Sequence, residues 1–167
     1  LSEGGVAGGI YSADDGNQIL LSKKPDYNAF VPLNTDGTHG YLYTAWEDRP
    51  AGLSQLELEW DPSSSEWAVL NSKMLDLSSI NGGWVFCFGS MSPWGSPLFS
   101  EELYFDNTQY WNDDNFRYHS DQVKLENYLG HYPNPYDYGY IVEIENASTS
   151  QPDYVRHLAM GRYSHEN

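Results

Sequence analysis

The sequence predicts an all-β fold, a sandwich or a propeller, on three observations. Short segments of alternating apolar and polar residues recur along the chain, clusters of Gly, Pro, Asn and Asp separate them, and only one stretch reads as a helix. No strict short repeat divides the two architectures at this level. Taken in order, Gly9-Ile10-Tyr11-Ser12 and Gln18-Ile19-Leu20-Leu21 flank Asp14-Asp15-Gly16-Asn17, residue types that suit a tight hairpin turn. Next come Tyr41 to Trp46 and Gln55 to Trp60, the second alternating Leu and Trp against Gln and Glu, so that its polar face meets solvent. The turn Asp61-Pro62-Ser63-Ser64-Ser65 leads into a partner strand at Trp67-Ala68-Val69-Leu70.

Gly83-Trp84-Val85-Phe86-Cys87-Phe88-Gly89 is a continuous apolar run, the signature of a strand buried on both faces. Tyr104 to Tyr118 is aromatic, rich in Asn and Asp and without period, and reads as a long ordered loop. Ser120 to Leu129 is the one short helix, with Ser120 as its N-cap and Val123, Leu125, Tyr128 and Leu129 as its apolar contacts. After Gly130 to Pro135 the β-branched and aromatic segment Tyr138 to Glu145 is a strand, Asn146 to Pro152 a turn, and Val155 to Asn167 a last strand with no evident closing element.

Composition limits the function classes. With 40% hydrophobic residues, 6 Trp and 14 Tyr, the chain has the large side chains that a packed core needs, and its 167 residues are read as a single unit, 1–167. Eight basic against 24 acidic residues give a net charge of −16, which repels nucleic acid. Most of these carboxylates read as a solvated surface, and a clustered few as cation ligands. No apolar run is long enough for a membrane span, and no basic, then apolar, leader opens the chain. Asn146-Ala147-Ser148 is a sequon compatible with a secretory route. The lone cysteine, Cys87, excludes an internal disulfide framework and leaves a thiol that is core, ligand, nucleophile or partner to another chain.

The most informative stretch runs from Cys87 through Ser92-Pro93-Trp94-Gly95-Ser96 to Glu101-Glu102. Without further context Cys87, between Phe86 and Phe88, reads first as a small core residue, and the Glu pair as a solvated strand end. The order of a cysteine, a Pro-Trp-Gly turn and a Glu-Glu pair, with Cys87 and Glu102 fifteen positions apart, resembles the PhoX-type alkaline phosphatases. Asn134-Pro135-Tyr136-Asp137-Tyr138-Gly139-Tyr140-Ile141-Val142-Glu143-Ile144 is similar to that family's Pro-Phe-Asp-Tyr-Gly-Trp-Val-Val-Glu-Ile segment, and Gly161-Arg162-Tyr163-Ser164-His165-Glu166 to its Gly-Arg-Phe-x-His-Glu motif. The resemblance lies mainly in residues 83–166.

The resemblance implies a partial β-propeller, several blades of a six-bladed PhoX-like propeller, holding ferric iron and calcium and hydrolysing phosphomonoesters. It implies Cys87, Glu102 and Glu166 as metal ligands; beside them Trp94, Glu101 and His165 read as supporting residues, with Pro93 and Trp94 fixing the turn that aims Cys87 and Glu102 at one centre. It also implies a secreted, periplasmic or extracellular location. Arg162 reads either as an anion contact or as a partner for a carboxylate. Phe88-Gly89-Ser90 stands where the family has small residues, and Ser92 where it commonly has threonine. Further acidic ligands and a phosphate-binding arginine are expected from later blades, so the remaining propeller segment, or a second chain, is the expected partner. Two other readings stay open: a non-catalytic propeller piece in an extracellular assembly, and a carbohydrate-binding domain using the aromatic loop.

Overall fold

The computed structural model describes residues 6–162 and confirms a mostly β chain with three antiparallel sheets. Strands β1 (Gly9–Tyr11) and β2 (Gln18–Leu21) form the expected first hairpin, closed by Asp15, whose carboxylate accepts from both the backbone and side-chain N–H groups of Asn17. Strands β3 (Pro25–Pro32), β4 (His39–Trp46), β5 (Gly52–Asp61) and β6 (Glu66–Met74) follow in sequence as one four-stranded sheet. Strands β7 (Phe86–Met91), β8 (Pro97–Glu101), β9 (Ile141–Glu145) and β10 (Asp153–Arg156) form a second sheet of the same kind. Two four-stranded meanders in chain order are the blade architecture of a propeller. No helix among the described residues is long and apolar enough to cross a membrane.

One face of each four-stranded sheet turns inward. Ala29, Val31, Tyr41, Tyr43, Ala45 and Leu53 of the first sheet meet Phe86, Phe99, Val142 and Ile144 of the second in one buried core. Each large apolar side chain so buried contributes about 1.5–3 kcal/mol. Within that core the Tyr43 hydroxyl donates to the Ala147 carbonyl at 2.7 Å and accepts from Gln55 Nε2 at 2.7 Å, so the polar group that comes with the aromatic ring is satisfied. Between β8 and β9 lies a helical insert, α1 (Phe105–Gln109) and α2 (His119–Leu129), which contributes to a second core of Trp84, Val85, Leu103, Trp111, Leu125 and Tyr138.

One strand was not foreseen, and three expectations change. Strand β3 carries no sequence signal of its own, because proline bounds it at Pro25 and Pro32; at a sheet edge a missing N–H breaks no ladder bond. The run Gly83–Gly89 is not buried on both faces throughout: Trp84, Val85 and Phe86 are fully buried, but the strand opens at Phe86 and Phe88 is 44% exposed. The aromatic loop contains α1, and α2 is capped by Tyr118 rather than Ser120 and ends at Gly130 in the left-handed conformation (φ 76°), with Val123 38% exposed. Finally, the last strand is Asp153–Arg156, with a 3-10 turn after it at Leu158–Met160, so the strand expected from Val155 ends at Arg156, and residues 163–167 of that expectation lie outside the described residues.

Candidate metal centre

The two four-stranded sheets approach each other along β3 and β7, the first strand of each and an edge strand of its sheet. Gly89 makes the approach possible: a Cβ there would lie 2.0 Å from Tyr27 Cδ1 and 2.6 Å from the Leu98 carbonyl oxygen. At this seam Asp26 of β3, Glu47 just beyond β4 and Cys87 of β7 bring ligand atoms within 4.8 Å of one another. The Cys87 Sγ to Asp26 Oδ2 distance is 3.8 Å. Cys87 is buried, Glu47 half-buried and Asp26 exposed, so the group grades from solvent into the interior.

Local backbone chemistry sets Cys87 in place. Val85 adopts φ 49°, a left-handed conformation that a β-branched residue rarely takes. Its N–H donates to the Asp48 carbonyl at 3.0 Å, and its carbonyl accepts from the Glu102 N–H at 2.9 Å. The register between β7 and β8 then shifts between Phe86 and Gly89, around Cys87. One residue, Val85, thus ties together the chain beside Glu47, the chain leading to Cys87, and Glu102 itself.

Glu102 is buried beside this group, with its Oε1 accepting from the Tyr104 hydroxyl at 2.7 Å. Burial first, then the charges of Asp26 and Glu102, push the Glu47 carboxyl up, against the opposing pull of Lys24 and Arg49. Two carboxylates, Asp26 and Glu47, beside a thiol form a donor set that a di- or trivalent cation neutralises, and Glu102, outside that group, adds negative charge felt at Glu47. Thiolate sulfur favours iron or zinc, and the carboxylate oxygens also accept calcium. The residues present therefore fit a mixed thiolate and carboxylate metal centre.

The other sequence-derived positions fall elsewhere or outside the described residues. Glu101, the last residue of β8, pairs with Arg156 at 2.9 Å in the interior, while Glu102 just beyond the strand bonds to Tyr104. Trp94 is 69% exposed, and its indole N–H donates to Glu143 at 2.6 Å, so its side chain is engaged away from the Cys87 centre. The Pro93-Trp94-Gly95 turn is closed by Ser92 and Ser96, whose backbone groups bond at 2.8 Å, and it joins β7 to β8 at the far end from Cys87. Arg162 donates to the Tyr138 carbonyl and the Thr108 hydroxyl, each at 2.9 Å, and anchors the chain to α1. His165 and Glu166 lie outside the described residues.

Asp26 and Glu47 escape a reading of the sequence. Among 24 acidic residues, neither Lys24-Pro25-Asp26-Tyr27 nor Trp46-Glu47-Asp48-Arg49 carries a motif. Only the seam between two sheets brings them to Cys87, which stands about sixty residues beyond Asp26 in the chain.

The family model described as alkaline phosphatase PhoX matches residues 55–167, from β5 onward, so the likeness begins earlier than the motifs alone indicate. No curated protein and no solved structure matches the chain.

Proposed function

Because the chain belongs to the alkaline phosphatase PhoX family, we propose that it provides one wall of a metal-dependent centre that hydrolyses phosphomonoesters. The observation that supports this reading is the convergence of Asp26 and Glu47 on Cys87, the residue that the family motif marks as a ligand. In the proposed centre Cys87 would bind ferric iron, Glu102 would bridge or bind metal, Glu166 would add a further carboxylate, and calcium would be held by carboxylate oxygens. Asp26 and Glu47 join them from the part of the chain that precedes the family match.

Bound cations would neutralise the phosphoryl oxygens and lower the pKa of a bound water. The chain's own residues do the rest. The Tyr104 hydroxyl fixes one oxygen of Glu102 and leaves the other for a cation. Cys87 is buried, with its Sγ 3.8 Å from the exposed Asp26 carboxylate. The remaining ligands and a phosphate-binding arginine would come from a further propeller segment or a second chain, and an exported location is in keeping with the family likeness and with the sequon Asn146-Ala147-Ser148.

The test is metal content and turnover of a chromogenic phosphomonoester, with Cys87→Ser as the comparison. The reading expects bound iron in the wild type and a loss of at least about tenfold in metal affinity in the variant. Iron content and turnover unaltered by Cys87→Ser would overturn it. Absence of turnover with iron retained would favour the structural propeller piece.

A further inference from the structure

Glu101 is fully buried and its carboxylate is saturated. Oε1 accepts from the Trp84 N–H at 3.1 Å and from Arg156 Nη2 at 2.9 Å, and Oε2 accepts from the Gly139 and Tyr140 N–H groups at 3.1 and 3.3 Å. Arg156, with its side chain 7% exposed, donates in addition to the carbonyls of Gly82 and Ile80 and lies over the Tyr138 ring. Every one of these hydrogen bonds, apart from the one between the pair, goes to backbone: to residues 80–84 leading into β7 and to residues 139–140 leading into β9.

The pair therefore holds the chain immediately before Val85. That residue takes its left-handed conformation one position after the N–H that Glu101 accepts, and it is bonded to Asp48 and Glu102 on either side. A strained residue of this kind persists only where its surroundings over-determine it. A buried ion pair is a costly way to fill a core, since apolar side chains of the same volume often serve stability as well or better. Backbone positioning accounts for its presence.

We propose that Glu101 and Arg156 are positioning residues for the metal centre. They clamp the chain entering β7 so that Val85 stays left-handed, and Cys87, Glu47 and Glu102 are thereby held towards one point. The proposal rests on the metal-centre reading, and its test separates the two. The full chain is compared with Glu101→Gln and with Arg156→Lys, the latter keeping the charge but losing the fork of donors. Two measurements are made under native conditions: the rate of Cys87 alkylation by iodoacetamide, which needs no metal, and the affinity and thiolate charge-transfer absorption of added cobalt(II).

The expected result is a cooperative unfolding transition in Arg156→Lys, alkylation changed by about tenfold or more, and cobalt bound about 10–100-fold more weakly with an altered thiolate band. A clamp that serves stability alone would lower the unfolding midpoint of both variants and leave native alkylation within about twofold of wild type, with the cobalt spectrum unchanged, and that result overturns the proposal. If the wild type gives no thiolate band with cobalt, the metal-centre reading fails, and the alkylation comparison still decides whether the pair positions Cys87. Should Glu101→Gln fail to fold, Arg156→Lys alone carries the decision.

Discussion

Glu143 shows how one carboxylate can be tuned by its neighbours without belonging to the candidate centre. Burial acts to raise its pKa, but hydrogen bonds from Trp94, His157 and Ser96 outweigh this and hold the carboxyl below its ordinary 4.5. The Trp94 and His157 contacts measure 2.6 and 2.7 Å. A carboxyl with a depressed pKa releases its proton more readily in the folded than in the unfolded chain. Its contribution to stability is complete above the unfolded value and is lost as pH falls through the folded one. Glu143→Gln is therefore expected to flatten the fall in urea midpoint below about pH 4.5 and to cost about 1 kcal/mol at neutral pH. A pH series of urea unfolding curves checks both. Residues of this kind are hard to read from sequence: Glu143 falls in a recognisable segment, but Trp94 and His157 reach it only through the β8–β9 and β9–β10 pairings. Cys87 and Glu102 were legible because a single hairpin joins them, whereas Asp26 and Glu47 needed the contact between sheets.

Among the elements, β3 carries the most consequence for the least sequence signal, through its contact with β7. Their packing depends on the bare backbone at Gly89, since a methyl group there would press into both the Tyr27 ring and the Leu98 carbonyl. Gly89→Ala is expected to cost about 1–3 kcal/mol and to move Asp26, the neighbour of Tyr27, away from Cys87. Thermal unfolding, together with metal affinity, measures the two effects. The helical insert has a different weakness. Among the described residues Gln122 of α2 and Asn107 of α1 are fully buried with neither end of either amide hydrogen-bonded. Replacing such a group with an apolar one of similar shape removes the desolvation cost. Gln122→Leu should raise stability by about 1–3 kcal/mol, read as an increase in the unfolding midpoint. Helix α2 was readable from Leu125, Tyr128 and Leu129 ahead of Gly130, while α1 was hidden because Asp106-Asn107-Thr108 are poor helix formers held by tertiary packing. The alternation of Leu56 and Leu58 with Glu57 and Glu59 revealed β5, but no pattern in β3 competes with its two prolines.

For the molecule as a whole, the two meanders share one core, and the ligand group lies at the seam between them, in a chain whose net charge of −16 favours any cation that reaches it. A cation bound only by the folded chain stabilises it by mass action, about 2.7 kcal/mol when free metal is one hundred times its Kd. Adding a chelator to the metal-loaded protein is expected to lower the unfolding midpoint accordingly. Cys87→Ser, having a weakened site, should show a smaller drop under the same treatment. Local alternation and turn chemistry made the strands legible, but the order in which they pair and the facing of one sheet on another are set by long-range burial, which no short window of sequence contains. The PhoX-like motifs supplied that longer-range expectation for the second sheet, and Asp26 and Glu47 lie before the matched residues begin.

The Cys87 thiol and the Asp26 carboxylate stand on strands of different sheets, 3.8 Å apart across a seam that has no ladder of hydrogen bonds of its own. An ion held there acts as a rivet between two plates. It is gripped only while the plates are closed, and so its binding adds to the shared core in favouring the closed state.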